Sequence, residues 1–132
     1  MSAFKVPYRA VGWFKLAIEK HNAVVSMNIT RYHFFEIVRE KAPKEVNVVL
    51  VDIYTVGLAD VLQARKEFPT ATCIVTNGDW NAYTPEAKRY GLDNEFGVFT
   101  TTEFMGALNW AEVYKYHQKD EDGQPIYQTR DA

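Results

Sequence analysis

The chain has 132 residues, of which 47% are hydrophobic and 24% are charged, and its formal net charge at pH 7 is −2. That length is sufficient for one domain with one sizeable core, and the apolar content excludes a chain that is disordered throughout. The small negative net charge disfavours nucleic acid or an anionic membrane as the partner, although it does not exclude a local basic patch.

The sequence contains no signature of a metal site or of a cofactor. Cys73 is the single cysteine, and His21, His33 and His117 lack the spacing of metal ligands. We therefore expect no disulfide, no metal and no cofactor. Residues 1–8 lack the apolar stretch of a signal peptide, and no apolar run is long enough to span a bilayer. These features predict a cytoplasmic protein that does not associate with membranes.

The first third of the chain predicts a helix, a strand and a second helix. Apolar residues at three-to-four spacing indicate a helix over residues 10–20, and alternation over residues 23–29 indicates a strand at or near a sheet edge. Thr30 is predicted to cap a second helix that runs to about Lys41 and is ended by Pro43.

The remainder alternates between strands that are apolar on both faces and amphipathic helices. Thr84 as N-cap and Pro85 at the first helical position open one helix, and Thr100 with Glu103 has the spacing of a capping box at the head of the last. We expect one domain over residues 1–116 and a polar C-terminal tail over residues 117–132. The predicted strands are 46–54, 71–76 and 96–99, and the further helices begin at residues 57, 84 and 100.

This alternation predicts a three-layer α/β/α fold with a mostly parallel sheet of four to five strands, of the flavodoxin or receiver type. Ligands of such sheets bind at the carboxyl ends of the strands. Five residues are candidates for a ligand site there, namely Asp52, Thr55, Thr76, Asp79 and Thr100. For Asp52, a structural role as a turn or capping carboxylate and a role in a ligand site are equally open. For the threonines, hydrogen bonds to local backbone are favoured over contact with a ligand. The polar run 77–81, with Trp80, is either a long turn or part of the site.

Residues 48–57 resemble the third strand and following loop of response-regulator receiver domains. The resemblance implies that Asp52 occupies the position of the phosphoryl-accepting aspartate and that Thr76 occupies the position of the hydroxyl that contacts the phosphoryl group. It extends from about residue 10 to residue 114. Gly57 is the third position at which individual residues match.

Two parts of the receiver site are absent. Residues 7–9 supply no acidic pair for Mg²⁺, and Thr100 stands where a lysine is expected. Phosphoryl transfer depends on both for neutralising charge. The resemblance therefore implies a non-catalytic pseudo-receiver, a regulatory or interaction domain that acts on a protein partner or self-associates. Its candidate interface lies on the last predicted helix, at Met105, Trp110, Val113 and Tyr114. A role in covering the core is equally open for these residues.

A second resemblance gives the alternative function. Residues 50–55, with the segments around Thr76 and Pro85, are similar to the C-terminal half of restriction-endonuclease-like nucleases. Those enzymes place an acid, any residue and a lysine on this strand, and Tyr54 here replaces the lysine. The alternatives are thus a degenerate or metal-dependent nucleic-acid enzyme, or an α/β protein that binds a small ligand. The nuclease-like topology requires residues 34–41 to form a strand, whereas the receiver-like topology requires a helix.

Overall fold

The computed structural model describes residues 2–131. Four helices and a five-stranded sheet make up most of it, and two small two-stranded sheets complete it. The helices are α1 (Tyr8–Glu19), α2 (Leu58–Glu67), α3 (Pro85–Asp93) and α4 (Thr101–Ala107), and the strands are β1 (Val24–Thr30), β2 (Phe34–Arg39), β3 (Glu45–Val51), β4 (Thr55–Val56), β5 (Cys73–Thr76), β6 (Ala82–Tyr83), β7 (Gly97–Thr100), β8 (Gln118–Lys119) and β9 (Pro125–Ile126).

The main sheet is mixed, with the strand order β1-β2-β3-β5-β7. Strands β1, β2 and β3 form an antiparallel meander, whereas β5 and β7 each pair in parallel with the preceding strand in the order. We call β1 and β2 the antiparallel half of the sheet, and β3, β5 and β7 its parallel half. The predicted flavodoxin-like, mostly parallel sheet is therefore wrong.

The error lies in one segment, residues 30–41, which was predicted as a helix. Phe34–Arg39 is strand β2, and it pairs on both sides with antiparallel neighbours. Phe34 packs into one core and Phe35 into the other, because the strand is buried on both faces. Two adjacent apolar residues followed by another at helical spacing resemble an amphipathic helix, so the alternation of a strand is hidden.

The turn between β1 and β2 also lacks a recognisable sequence signal. Arg31 and Tyr32 have φ angles of 46° and 63°, in the left-handed region that glycine and asparagine usually occupy in such turns. An arginine and a tyrosine do not indicate a hairpin. The predicted caps, by contrast, are confirmed: Thr84 accepts a hydrogen bond from the N–H of Ala87, and Thr100 forms the capping box with Glu103.

Helices cover both faces of the sheet and create two cores. Phe14 and Ile18 of α1 pack with Phe104 of α4 on one face. Val61 and Ala64 of α2 pack with Ala87 of α3 on the other. Among residues 2–131, no helix has the length and apolar character needed to cross a bilayer.

Two cations are buried in this architecture. Arg39 on β2 is 1% exposed, and its guanidinium donates to the carbonyls of Leu108, Trp110 and Pro43 at 2.6–2.9 Å. Lys88 on α3 is 3% exposed, and its ammonium donates to the carbonyl of Val98 at 2.9 Å. Arg39 thereby joins β2 to the chain that follows α4.

The polar segment 117–131 packs against the small sheet of β4 and β6. Tyr83 donates its backbone N–H to the carbonyl of Gln128 and accepts from the N–H of Arg130. The Arg130 guanidinium donates to the carbonyls of Tyr54 and Trp80, at 2.8 and 2.6 Å. These bonds place Gln118 and Gln128 beside the carboxyl ends of the parallel strands.

Candidate functional site

The largest cavity lies at the carboxyl ends of β3, β5 and β7 and measures about 980 Å³. Parallel strands that end at one edge bring their following loops together, so this is the position at which the sequence predicted a site. Of the predicted residues, Asp52, Asp79 and Thr100 line the cavity. Helix α1 supplies a further wall through Arg9 and Trp13.

Asn81 organises the centre of this cavity. Its Nδ2 atom lies 2.9 Å from Asp52 Oδ1 and 3.1 Å from both Thr76 Oγ1 and the carbonyl of Asn77. Thr76 Oγ1 in turn donates to the carbonyl of Ile53 at 2.7 Å and accepts from the N–H of the same residue. The network fixes the Asp52 carboxylate at the end of β3, while that residue remains exposed to the cavity.

Gly78 is required by the close packing around Asn81. A Cβ atom at position 78 would lie 2.8 Å from Asn81 Nδ2, which is closer than real Cβ contacts allow. On the opposite side, Asn77 accepts a hydrogen bond from the Thr101 hydroxyl through its Oδ1 atom at 3.0 Å. The polar run 77–81 is therefore an ordered wall of the cavity, built around two asparagine side chains.

The other predicted site threonines are held by local bonds. The Thr55 hydroxyl accepts from Arg130 at 3.1 Å and lies outside the wall of the cavity. The Thr100 backbone N–H donates to Glu103 Oε1 and the Thr100 hydroxyl accepts from the Glu103 N–H, as the capping box requires. The hydroxyl also lies 3.2 Å from Glu103 Oε1. The Thr76 hydroxyl is occupied by Ile53 and Asn81 and is 1% exposed.

A second cavity, of about 780 Å³, lies on the other side of Pro7 and Asp52. Both residues line both cavities, so the two cavities lie side by side at the end of β3 and are treated together as one groove. We call this the Asp52 groove. Arg31 and Tyr32, the two residues with left-handed backbone, line its second part. These φ angles are those that a tight β-hairpin turn requires.

His33 is a further residue of the groove that the sequence did not single out. It is 1% exposed, and its Nδ1 atom lies 3.0 Å from the carbonyl oxygen of Leu50. Because a carbonyl only accepts, Nδ1 carries the proton and Nε2 presents a lone pair. Nε2 is buried without a partner among residues 2–131. Burial lowers the pKa of His33, while the hydrogen bond to Leu50 and the charge of Glu67 oppose that shift.

The groove does not offer the ligand set of a metal site. Within residues 2–131, no three side chains of His, Cys, Asp or Glu are grouped so that they could hold an ion. Tyr54, which stands where a nuclease would carry lysine, packs its ring 3.8 Å from the Arg130 guanidinium. It lies outside both cavities. A divalent cation would therefore lack a preformed set of three such ligands among the described residues.

The residues predicted as an interface lie apart from the groove. Val113 is buried in the core that α1 and α4 share, and Met105 packs against the same core. Trp110 contacts the ring of Tyr116 in an edge-on arrangement at 5.2 Å. Tyr114 donates its hydroxyl to Glu112 and lines a smaller cavity, of about 300 Å³, near the opposite end of β3.

Comparison with protein-family models, with curated proteins and with solved structures found no significant match to this chain.

Arg9, Trp13, Arg31 and His33 are the groove residues that sequence reasoning missed. Arg9 and Trp13 belong to a helix whose inner face was predicted correctly, and nothing in the sequence shows what its outer face borders. Arg31 and His33 were assigned to a helix, which would have placed them elsewhere. One indication was present in the sequence: Arg9 and Trp13 fall outside the apolar stripe of the predicted helix. A large aromatic side chain in that position suggests a contact surface.

Proposed function

We propose that the chain binds single-stranded nucleic acid along the Asp52 groove without cleaving it. The observation that carries the proposal is the composition of the groove wall. It holds three cationic side chains, Lys5, Arg9 and Arg31, against two acidic ones, Asp52 and Asp79. Arg31 is also paired with Glu67 at 3.5 Å, so the wall is close to neutral but gathers three cations into one patch of a chain whose net charge is −2. The net-charge argument against nucleic acid does not apply to such a patch.

Aromatic rings support a single strand as the ligand. Trp13 is 53% exposed in the first cavity, and Tyr32 is part-exposed in the second. The ring of Tyr8, which is 85% exposed, lies 5.1 Å from that of Tyr32. Unpaired bases stack on such rings, and each stacked base contributes about 1–3 kcal/mol. The bases of a duplex do not offer their faces in this way.

Amide side chains provide hydrogen-bonding groups for base edges. Asn77, Asn81, Gln118 and Gln128 all line the first cavity. Asn81 Nδ2, Asn77 Oδ1, Gln128 Nε2 and Gln118 Oε1 are bonded to other groups of the protein, which leaves the second amide atom of each side chain for a nucleobase edge.

The strand topology favours a second candidate, metal-dependent cleavage of nucleic acid. Residues 34–39 form a strand of an antiparallel meander that is followed by a parallel strand, as the nuclease-like alternative requires. Fold alone does not establish chemistry. Since the acid at Asp52 lacks partner ligands and a lysine, we rank binding without cleavage first.

The test is fluorescence anisotropy with labelled DNA and RNA oligonucleotides of about 12 nucleotides. We expect dissociation constants in the micromolar range at about 50 mM salt. Three phosphate contacts predict a weakening of about tenfold or more between about 50 and 200 mM salt. The double variant Arg9→Ala/Trp13→Ala should bind at least about tenfold more weakly.

The matched control is Arg89→Ala, which removes an exposed arginine of α3 that lines neither cavity. It should leave the affinity unchanged. The proposal would be contradicted if the wild-type chain did not bind. It would also be contradicted if Arg9→Ala/Trp13→Ala and Arg89→Ala weakened the affinity equally. Cleavage in Mg²⁺ or Mn²⁺ that is abolished by Asp52→Asn would replace it with the nuclease candidate.

A further inference from the structure

The two edge strands of the main sheet, β7 and β1, differ in the hydrogen bonds made by their outer edges. On β7, the carbonyl of Val98 accepts a hydrogen bond from the buried Lys88 ammonium. On β1, the backbone of residues 25–30 makes hydrogen bonds only to β2 among residues 2–131. One edge of a seven-residue strand is thus left with unpaired N–H and C=O groups.

Strand β1 also lacks the usual protection of an exposed edge. Its sequence, VVSMNIT, contains no charged residue and no proline. A bulge interrupts the pairing only between Val24 and Ser26, so residues 26–30 remain regular. Natural sheets protect edges with lysine, proline or bulges because an unprotected edge pairs with another strand.

The core is incomplete at this edge. Met27 and Ile29 point into the core that α1 covers, yet both remain part-exposed, as does Val11 of α1. Val25 is 59% exposed beside them. A strand inside a sheet has a neighbouring strand on each side, and β1 has only one. A further strand next to β1 would cover these apolar side chains.

We propose that β1 pairs antiparallel with β1 of a second copy of this chain, so that two sheets join into one of ten strands. A two-fold axis at Asn28 places Met27 opposite Ile29 of the second copy, and Ser26 opposite Thr30. Every such pair is uncharged, so the edge is complementary to itself. The inference is independent of the ligand.

The test is sedimentation equilibrium of the full chain with paired charge variants. Ser26→Lys/Thr30→Lys sets like charges opposite each other across the axis, and both positions are exposed. We expect wild type to sediment at twice the monomer mass at about 50 µM, and the lysine variant to dissociate at least about tenfold more readily. Ser26→Glu/Thr30→Glu should behave like the lysine variant, and a mixture of the two should recover the dimer.

Thr70→Lys/Asn109→Lys is the control, because it adds the same charge at exposed positions outside β1. It should remain dimeric. A wild-type chain that is monomeric at about 500 µM overturns the proposal. So does a lysine variant that dimerises as wild type does, and so does a mixture of the two charged variants that stays monomeric.

Discussion

Each half of the sheet is bonded to one buried cation, Arg39 within β2 and Lys88 of α3 against β7, and the two cations are satisfied in different ways. In the antiparallel half, Arg39 donates to three carbonyls at 2.6–2.9 Å and joins β2 to the chain after α4. In the parallel half, Lys88 donates to one carbonyl, that of Val98, and otherwise lies over aromatic rings, the nearest being Phe99 at 4.3 Å. Arg39 therefore holds two distant segments together, whereas Lys88 fills a space that an apolar side chain could fill.

The largest expected effect follows from removing the arginine. Arg39→Met leaves the carbonyls of Leu108, Trp110 and Pro43 without their donor, in a region the side chain keeps buried. We expect the free energy of unfolding to fall by about 3 kcal/mol, because buried acceptors lose charge-assisted hydrogen bonds. Chemical denaturation measures this loss. The exposed Arg65→Met on α2 is the control and should cost less than about 1 kcal/mol. If both variants lost the same free energy of unfolding, Arg39 would contribute no more to stability than an exposed arginine does.

The second prediction concerns Lys88 and has its effect at alkaline pH. Burial lowers the pKa of Lys88 from 10.5 to about 8, against an opposing effect of Glu103. Between these values the unfolded chain binds the extra proton, so the free energy of unfolding rises as pH rises from about 8 to about 10.5. The rise attributable to Lys88 is on the order of 3 kcal/mol.

Lys88→Met should abolish that rise. At pH 7 it should cost less than Arg39→Met, because it leaves one buried carbonyl without a donor where Arg39→Met leaves three, although Glu103 also loses a nearby positive charge. Denaturation curves at pH 7, 8, 9 and 10 would show the difference between the variant and wild type. A loss at pH 7 as large as that of Arg39→Met would mean that the two cations play equivalent roles.

The third prediction separates stability from binding at the turn of the antiparallel half. Tyr32→Gly relieves the left-handed backbone at φ 63° but loses the ring contacts with Tyr8 and His33. These effects oppose each other, so stability should change by less than about 1 kcal/mol. Oligonucleotide affinity should fall by about tenfold, through loss of one stacking surface. Tyr54→Ala, at an exposed tyrosine outside both cavities, should bind as wild type does.

The smallest effect is expected at acidic pH and involves His33. Because burial lowers its pKa below 6.5, the unfolded chain binds the proton more readily than the folded chain. Stability is therefore complete above pH 6.5 and declines as pH falls below it. His33→Gln should make this decline shallower, in thermal unfolding monitored from pH 7 to pH 5. Glu67 and Arg31 also face the imidazole. A Glu67→Gln variant would measure how much of the pH dependence comes from Glu67. An unchanged decline in the His33 variant would assign it to other groups.

The same contrast between the halves explains what the sequence could predict. In the parallel half, continuous apolar runs bounded by caps and prolines identified β3, β5 and β7, and the caps at Thr84 and Thr100 are confirmed. In the antiparallel half, β2 is buried on both faces and its turn contains neither glycine nor asparagine. Local patterns were therefore ambiguous, and the decision between helix and strand depends on β1 and β3 pairing with the segment.

The residues of the candidate site were likewise predictable in the parallel half and not elsewhere. Asp52 and Asp79 follow strands of the parallel half, and the structure places both at the cavity. Arg31 and His33 come from the hairpin that the sequence did not indicate, and Arg9 and Trp13 come from the outer side of α1. Side chains that reach a site from a neighbouring element leave no spacing pattern in the chain, so only the tertiary arrangement reveals them.

The most direct test of the nucleic-acid groove is an amide NMR titration of the chain with a single-stranded oligonucleotide of about 8 nucleotides. The account predicts shifts on both sides of Asp52, at Arg9, Trp13 and Asn81 in one cavity and at Tyr32 and His33 in the other. Shifts confined to the opposite end of the strands, around Glu45, Thr72 and Glu95, would contradict it, as would a spectrum that does not change.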